Sequence, residues 1–225
     1  MNISELNDWL LSEHQQPLII GILNVTPDSF TDGGKFLDHN TAVNHAMDMI
    51  DNGADIIDIG GESTRPFSDP VSEEEELSRV ISVIQKIREK TDIVISIDTT
   101  KSVVAEKACD AGANIINDIS ALSFDHHMID TVNKYDCPII LMHMVGNPKT
   151  MQKSPSYSNI IPQITDHLLS RANFALSSGV KKHNIILDPG IGFGKTVDDN
   201  FTIINNMDKF TNLGYPVLIG ASRKS

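Results

Sequence analysis

The sequence has little of what secreted, membrane-spanning and nucleic-acid-binding proteins need. Its 225 residues include only 2 cysteines, Cys109 and Cys137, which form no metal or redox motif and are expected to be buried reduced thiols. Lysine and arginine number 18 against 30 aspartates and glutamates, and the net charge of −12 argues against a nucleic-acid partner. No apolar run approaches the roughly 20 residues of a membrane span, and residues 1–16 lack the features of a signal peptide. These absences predict a cytoplasmic protein with no membrane partner.

What the sequence does contain is a repeated alternation of short apolar runs with amphipathic stretches. Each run ends at a polar or glycine-rich loop, and the seven runs are 18–23, 54–59, 93–97, 113–116, 139–142, 184–187 and 216–219. Runs that are apolar at both alternating positions are typical of parallel strands covered by helices on both faces. The pattern therefore predicts seven successive βα units.

Spacing and caps predict the helices between these runs. Ser72 and Glu75 have the spacing of a capping box, and a buried stripe should follow at Leu77, Val80, Ile81, Ile84 and Ile87. Gly53 should end the helix before it, and a later helix should span about 159–178. A short helix at 4–12 should place Leu6, Trp9 and Leu10 on the core.

Seven such units predict an α/β fold of the (β/α)8 TIM-barrel type, in which the active site lies at the carboxyl ends of the strands. A barrel of this type needs eight strands, so the single domain expected over residues 1–225 looks incomplete at its C-terminus. An open edge would expose unpaired backbone groups, which a soluble protein avoids. Seven strands closed in some other way are the alternative.

Three polar residues follow predicted strands and could converge on one deep polar pocket. These are Asp98, Asn117 and Asp188. Carboxylates accept hydrogen bonds and an amide both donates and accepts, so the set suits a flat heterocycle rich in N–H groups. The alternative for Asp98 alone is an N-cap for the helix that follows it.

Two loops have the chemistry of an oxyanion site. Residues 60–66 combine glycines, two hydroxyls and Arg65, whose guanidinium can make a forked contact with an anion. The segment NVTPDSFTDGG carries oxygen ligands suitable for Mg²⁺, namely Asn24, Thr26, Asp28, Ser29 and Asp32. The glycines that close it would let the loop act as a lid, and an ordinary mobile surface loop is the alternative.

The sequence DPGIGFGK at 188–195 matches neither the Rossmann nor the Walker A spacing. Phe193 within it is either an apolar wall for an aromatic substrate or a packing residue. Ser222 and Lys224 precede what should be a helix, whose N-terminus favours anions. His143, at a strand end, is interpreted as an orienting residue rather than a general base.

With these motifs in place, the chain resembles the pterin-binding TIM-barrel family to which the dihydropteroate synthases belong. The resemblance covers nearly the whole chain and rests on seven motifs in the family's order: GILNVTPDSFTDGG, GADIIDIGGESTRP, SIDTTK, INDIS, MHMVGNPKTMQ, LDPGIGFGK and GASRKS. It implies condensation of 4-aminobenzoate with 6-hydroxymethyl-7,8-dihydropterin diphosphate to dihydropteroate and pyrophosphate. It also implies a homodimer.

The resemblance further implies a role for each matching residue. The pterin would be held by Asp98, Asn117, Ile119, Met142, Asp188 and Lys224. The diphosphate would contact Asn24, Thr64 and Arg65, with Mg²⁺ on Asn24 and Asp32. The aminobenzoate, with which sulfonamides compete, would lie among Phe30, Thr64, Pro66, Phe193, Ser222 and Lys224. Arg65, Lys224 and Asp98 would be catalytic.

Two other functions remain as alternatives to a synthase. A related pterin domain takes part in corrinoid methyl transfer, but GGESTRP and SRKS would have no purpose there. A non-enzymatic pterin binder is the second alternative, and retention of the full set of polar site residues argues against it. The resemblance also implies an Arg-x-His pair at the end of strand eight, and the sequence stops before that position.

Overall fold

The computed structural model describes residues 1–26, 39–64, 68–146, 149–151 and 156–221. They fall into two compact units. Unit 1 comprises Met1–Ser63 and Pro70–Asn117, and unit 2 comprises Thr64–Asp69 and Asp118–Ser225. Six strands alternate with helices along the chain, as the βα repeats predict.

Unit 1 aligns the ends of its strands. Its elements are α1 (Ile3–Leu11), β1 (Ile20–Asn24), α2 (His39–Asp51), β2 (Ile56–Gly60), α3 (Glu73–Arg88), β3 (Val94–Asp98), α4 (Ser102–Asp110) and β4 (Ile115–Asp118), whose last residue belongs to unit 2. Consecutive strands pair in parallel, so Gly60 lies opposite both Asn24 and Asp98, and Asp98 lies opposite Asn117. The polar residues that follow the apolar runs are thus level with one another.

Unit 2 contains the later strands. Its elements are α5 (Met128–Tyr135), β5 (Ile139–Met142), α6 (Ile160–Ser177), a 3-10 turn (Lys182–Asn184), β6 (Ile185–Asp188), α7 (Val197–Asn205) and α8 (Met207–Thr211). Strands β5 and β6 are parallel and place Met142 opposite Asp188. The predicted seventh strand is reduced to a single bridge between Leu187 and Val217. Pro216 has no N–H to extend the ladder, although its carbonyl accepts from Leu187 N at 2.9 Å.

Burial follows the expectation for parallel strands except at β1. Strand β2 is buried at all five positions and β5 and β6 at all four. In β1, by contrast, Ile22 is 52% exposed. Burial on both faces is therefore wrong for the first strand and right for the inner ones.

In helix α3 the predicted capping box and the predicted buried stripe are each only partly present. The Ser72 side chain accepts from Glu75 N at 3.2 Å, as in a capping box. The Glu75 carboxylate, however, pairs with Arg79 one turn later, and no reciprocal cap is formed. The buried face includes Glu76 and Arg79, whereas Leu77 and Ile81 are only partly buried. The stripe is rotated because two charged residues find buried partners.

Most of the remaining local predictions agree with the structure, although Trp9 and Cys109 are only partly buried. Helix α2 is followed by Gly53 with φ of +99°, and α6 by Gly179 with φ of +101°. Leu6 and Leu10 of α1 are buried. Cys137 is buried and Cys109 partly so. Among the residues described, no helix combines the length and apolarity needed to cross a membrane.

Arg88 connects three chain segments in unit 1, and its loss should be costly. Its guanidinium donates to the carbonyls of Thr91 at 3.1 Å, Ile93 at 2.7 Å and Gly112 at 2.6 Å, and to Asn114 Oδ1 at 2.9 Å. Arg88→Met should lower the free energy of unfolding by about 1.5–3 kcal/mol, because these half-buried acceptors lose a charged donor. Urea denaturation measures this, with the exposed Lys90→Met as control. Equal losses in the two variants would contradict the assignment.

Candidate functional site

The carboxyl ends of β1, β2 and β3 bring two oxygen atoms toward one small space. A Cβ placed on Gly60 would lie 3.4 Å from Asp98 Oδ2 and 3.7 Å from Asn24 Oδ1. The two side chains therefore flank the glycine at the level where the strands end. Glycine at this position keeps open the space between a carboxylate and an amide oxygen.

The alternative role of Asp98 as a helix cap is wrong. Helix α4 begins at Ser102 with Lys101 as its N-cap, and Lys101 N donates to Thr99 Oγ1 at 3.2 Å. Asp98 instead ends β3, half-buried and level with Asn117. Asp98 is therefore not the N-cap of α4.

Asp58 is a buried neighbour of the site that the sequence analysis missed. Asn117 Nδ2 donates to Asp58 Oδ2 at 3.2 Å, which fixes the orientation of the amide. Burial raises the pKa of the Asp58 carboxyl, and the nearby Ser96 hydroxyl and Asn117 amide offset the rise only in part. Within the described ranges, Asp58 Oδ1 and Ser96 Oγ are buried without a hydrogen-bond partner. A charged residue in the middle of an otherwise apolar strand was the available signal.

The loop after β2 is held by charged side chains, of which Arg79 and Glu76 are buried and Lys101 is partly buried. Arg79 donates to the carbonyl of Gly61 at 2.6 Å. Lys101 pairs with both Glu62 and Glu76. Burial alone would lower the pKa of Lys101, but the two carboxylates outweigh burial and raise it. The start of the GGEST segment is thus held in place by residues from α3 and from the loop after β3.

In unit 2, the loop after β6 lies directly against the end of β5. His143 N donates to the carbonyl of Asp188 at 2.9 Å, and Gly190 N donates to Asp188 Oδ1 at 2.7 Å. Gly190 has φ of +69°, and a Cβ there would lie 2.1 Å from the carbonyl oxygen of His143. Only glycine can occupy this position without moving one of the two chain segments.

The predicted apolar residues of unit 2 come together. Ile119, Met142 and Phe193 form one buried cluster with Met151, against which Met144 packs. Phe193 is 7% exposed, so packing is at least part of its role. The cluster brings predicted pterin neighbours into contact with a predicted aminobenzoate neighbour.

His143 is a weak base in this environment. Burial, followed by the charge of Lys195 and by His167, lowers its pKa to about 3. The imidazole is consequently neutral and suited to accept or donate hydrogen bonds. Its role as an orienting residue stays a prediction.

Several predicted site residues lie outside the described residues, namely Phe30, Asp32, Arg65, Pro66, Ser222 and Lys224, together with the loop ligands Asp28 and Ser29. Thr64 is described and is partly buried. Asp98 and Asn117 belong to unit 1, whereas Asp188 belongs to unit 2. Their convergence on one ligand stays a prediction.

Comparison with known proteins gives a consistent result. Residues 20–225 match the model of the family described as pterin binding enzyme. A dihydropteroate synthase of Clostridium beijerinckii is 53% identical over 211 residues, which cover 94% of this chain and 76% of that protein. The solved Xanthomonas albilineans dihydropteroate synthase with 4-aminobenzoic acid is 41% identical with a TM-score of 0.87, covering 93% of this chain and 74% of that one.

A second structure of the Xanthomonas albilineans dihydropteroate synthase, in complex with 7,8-dihydropteroate, is 39% identical with a TM-score of 0.83. It covers 93% of this chain and 74% of that chain. Together with the alternating parallel strands, these likenesses confirm the predicted TIM-barrel class.

The buried carboxyl of Asp58 should make stability depend on pH. Because its pKa is raised in the folded protein, its favourable contribution is fully present below its ordinary pKa of 3.8 and is lost as pH rises through the folded value. Asp58→Asn should therefore gain stability relative to the wild type across that window, by up to about 1.4 kcal/mol per pH unit. Urea denaturation at a series of pH values tests this.

The exposed Asp8→Asn is the matched control for Asp58→Asn. Its difference from the wild type should change little with pH. The assignment would be contradicted if the free energy of unfolding of Asp58→Asn differed from that of the wild type by a constant amount over roughly pH 3 to pH 8.

Proposed function

Since this chain belongs to the pterin-binding enzyme family, we infer that it catalyses the dihydropteroate synthase reaction. It condenses 4-aminobenzoate with 6-hydroxymethyl-7,8-dihydropterin diphosphate and releases 7,8-dihydropteroate and pyrophosphate. The observation that supports this most directly is the level placement of Asn24, Gly60, Asp98 and Asn117 at the strand ends. A site of that kind presents oxygen and amide groups to a flat polar ring and to the group it carries.

The pterin-binding set is Asp98, Asn117, Ile119, Met142, Asp188 and Lys224. Carboxylates can accept from the N–H groups of an amino-oxo-pyrimidine ring. The amide of Asn117 donates one N–H to Asp58, so its orientation is set before a ligand arrives. The buried cluster around Met142 supplies an apolar face for the ring.

The diphosphate-binding set is Asn24, Thr64 and Arg65, and Asn24 and Asp32 would hold Mg²⁺. Asn24 fits this role because its amide oxygen lies at the exposed end of β1, facing the space above Gly60. Among the described residues, no group of three or more histidine, cysteine, aspartate or glutamate side chains could hold a metal. Mg²⁺ commonly takes one or two protein oxygens, water and substrate phosphates. When bound, the ion would neutralise charge on the diphosphate.

The 4-aminobenzoate set is Phe30, Thr64, Pro66, Phe193 and Ser222. Phe193 belongs to the buried cluster that also contains Met142 and Ile119, which supports neighbouring positions for the two substrates. An aromatic wall and a hydroxyl suit a flat acid with an apolar ring.

The residues themselves have little proton chemistry to perform. The bond between the exocyclic carbon and the diphosphate oxygen breaks, and the amine nitrogen bonds to that carbon and then loses a proton, which passes to solvent when the products leave. Asp98 and Lys224 hold the pterin while its ring supplies electron density, and Arg65 stabilises the charge that develops on the leaving group. Catalysis is therefore positioning combined with electrostatic stabilisation, in a site from which water is excluded.

The oligomeric state, the location and the partners of the enzyme are proposed from the same resemblance. We propose one pterin-binding domain that works as a homodimer in the cytoplasm on small-molecule substrates. The acidic composition is consistent with the absence of a nucleic-acid partner.

The reaction is tested by following pyrophosphate release with both substrates and Mg²⁺, and with each omitted in turn. Release that requires both substrates, with dihydropteroate identified by mass, supports a synthase. Binding of the pterin diphosphate without product would support a non-enzymatic binder. Methyl transfer from methyltetrahydrofolate to a corrinoid, without condensation, would identify the chain as a pterin domain of corrinoid methyl transfer.

Removing Arg65 should separate turnover from binding. Arg65→Ala should lower kcat by about 100-fold or more, because a donor aimed at the leaving group acts mainly in the transition state. The Kd of the pterin diphosphate should change by only about threefold, in contrast to Asp98→Ala, which should weaken binding first. Steady-state kinetics and calorimetric titration measure the two effects, with Lys107→Ala on α4 as control. Equal losses of turnover and binding in Arg65→Ala would count against the leaving-group role.

A further inference from the structure

Lys195 is a buried lysine whose amine is surrounded by main-chain oxygens. Lys195 as a whole is only 3% exposed. Nζ lies 2.8 Å from the carbonyl oxygen of Gly190, 2.9 Å from that of Phe193 and 3.2 Å from that of His143. It also lies 3.1 Å from His143 Nδ1. A buried ammonium is tolerated only where such acceptors replace its water, and here four of them do.

The imidazole completes this set of acceptors. His143 is neutral near neutral pH because its pKa is about 3, so only one ring nitrogen carries a proton. An ammonium has donors and no acceptor, which makes Nδ1 the accepting nitrogen and leaves the proton on Nε2. The edge of the His167 ring approaches His143 with 5.0 Å between the centroids. The environment therefore selects the tautomer that Lys195 needs.

The acceptors of Lys195 belong to two loops that are in close contact. Gly190 lies so near His143 that a Cβ would be 2.1 Å from its carbonyl oxygen. Carbonyl dipoles that point toward one spot repel one another, and a cation placed there turns that repulsion into attraction. Lys195 thus joins the end of β5 to the glycine loop after β6.

Two substrate-side residues depend on this loop. The N–H of Gly190 donates to Asp188 Oδ1 at 2.7 Å, so the position of Gly190 sets the rotamer of the Asp188 carboxylate. Phe193, whose carbonyl oxygen Lys195 binds, places its ring in the cluster with Ile119 and Met142. Tyr157 supports the same loop by donating to the carbonyl of Gly194 at 2.9 Å.

We propose that Lys195 is a positioning residue for both substrates, whose ammonium fixes the loop after β6 so that Asp188 meets the pterin and Phe193 meets the aminobenzoate. The inference rests on the proposed function, since it assigns those two residues to the two substrates. It adds a residue that touches neither substrate and that acts through main-chain carbonyls. One side chain therefore couples two binding subsites.

The main test compares Lys195→Met, which keeps the length of the side chain and removes its charge, with Lys195→Arg, which keeps the charge. Lys195→Met should raise the KM of both substrates together, on the order of 10- to 100-fold, because the misplaced loop serves both. Lys195→Arg should recover part of this loss. Lys181→Met, at an exposed lysine paired with Asp136, is the control and should leave both KM values unchanged.

Binding of each substrate alone and thermal unfolding are measured on the same samples. A Lys195→Met protein that unfolds cooperatively and binds both substrates as the wild type does would overturn the inference, although an active wild type would leave the proposed function intact. A rise confined to one substrate would overturn the coupling of the two subsites. A wild-type protein with no condensation activity would overturn the proposed function, and this inference with it.

A second variant decides the question if Lys195→Met does not fold. His143→Leu removes the Nδ1 acceptor and keeps the carbonyl oxygen, so the ammonium retains three of its four acceptors. Both KM values should then rise in parallel by a smaller factor, about 3- to 10-fold, which corresponds to the loss of roughly one hydrogen bond. Unchanged KM values in a folded His143→Leu protein would overturn the inference.

Discussion

The register of the parallel strands is the constraint on which the site depends. The last residues of β1, β2 and β3 are opposite one another, and Asp98 at the end of β3 is opposite Asn117, the next-to-last residue of β4. The pair in unit 2 aligns the last residues Met142 and Asp188. Side chains alternate between the two faces of a strand, so a shift by one residue would turn every one of these groups away. Strands β2, β5 and β6 are buried at every position, so a slip along any of them would expose an apolar side chain at one end and bury a polar group at the other.

Four cations then hold the loops that follow the strands, two of them buried (Arg79 and Lys195) and two partly buried (Lys101 and Arg171). Lys101 and Arg79 hold the loop after β2, and Lys195 holds the loop after β6. Arg171 does the same after β4, where it donates to the carbonyls of Ala121 at 2.6 Å and Leu122 at 3.0 Å. These two residues have φ of 51° and 65°, a conformation that costs energy for residues other than glycine. Arg79, Lys195 and Arg171 thus bind main-chain oxygens of these loops, whereas Lys101 pairs with the carboxylates of Glu62 and Glu76.

The sequence was sufficient for the features that depend on local pattern. The six strands, the helix ends at Gly53 and Gly179 and the strand-end positions of Asp98 and Asn117 follow from apolar periodicity and from glycine at turns. The buried charged residues could not be predicted in this way, since their partners are distant along the chain. Arg79 finds Gly61 18 residues earlier, and Lys195 finds His143 52 residues earlier. The roles of Arg65 and Lys224 came from family resemblance, and they remain predictions.

The kind of acceptor that surrounds Lys195 Nζ affects which substitutions this protein can accumulate during evolution. Three of the four acceptors are backbone carbonyl oxygens, which every amino acid carries. Substitution of Phe193 would alter the ring that it presents and would leave the oxygen that binds Lys195. The side chain that faces the substrate can therefore change while the loop keeps its conformation. Specificity can vary at this loop, whereas its architecture depends on Lys195 and Gly190.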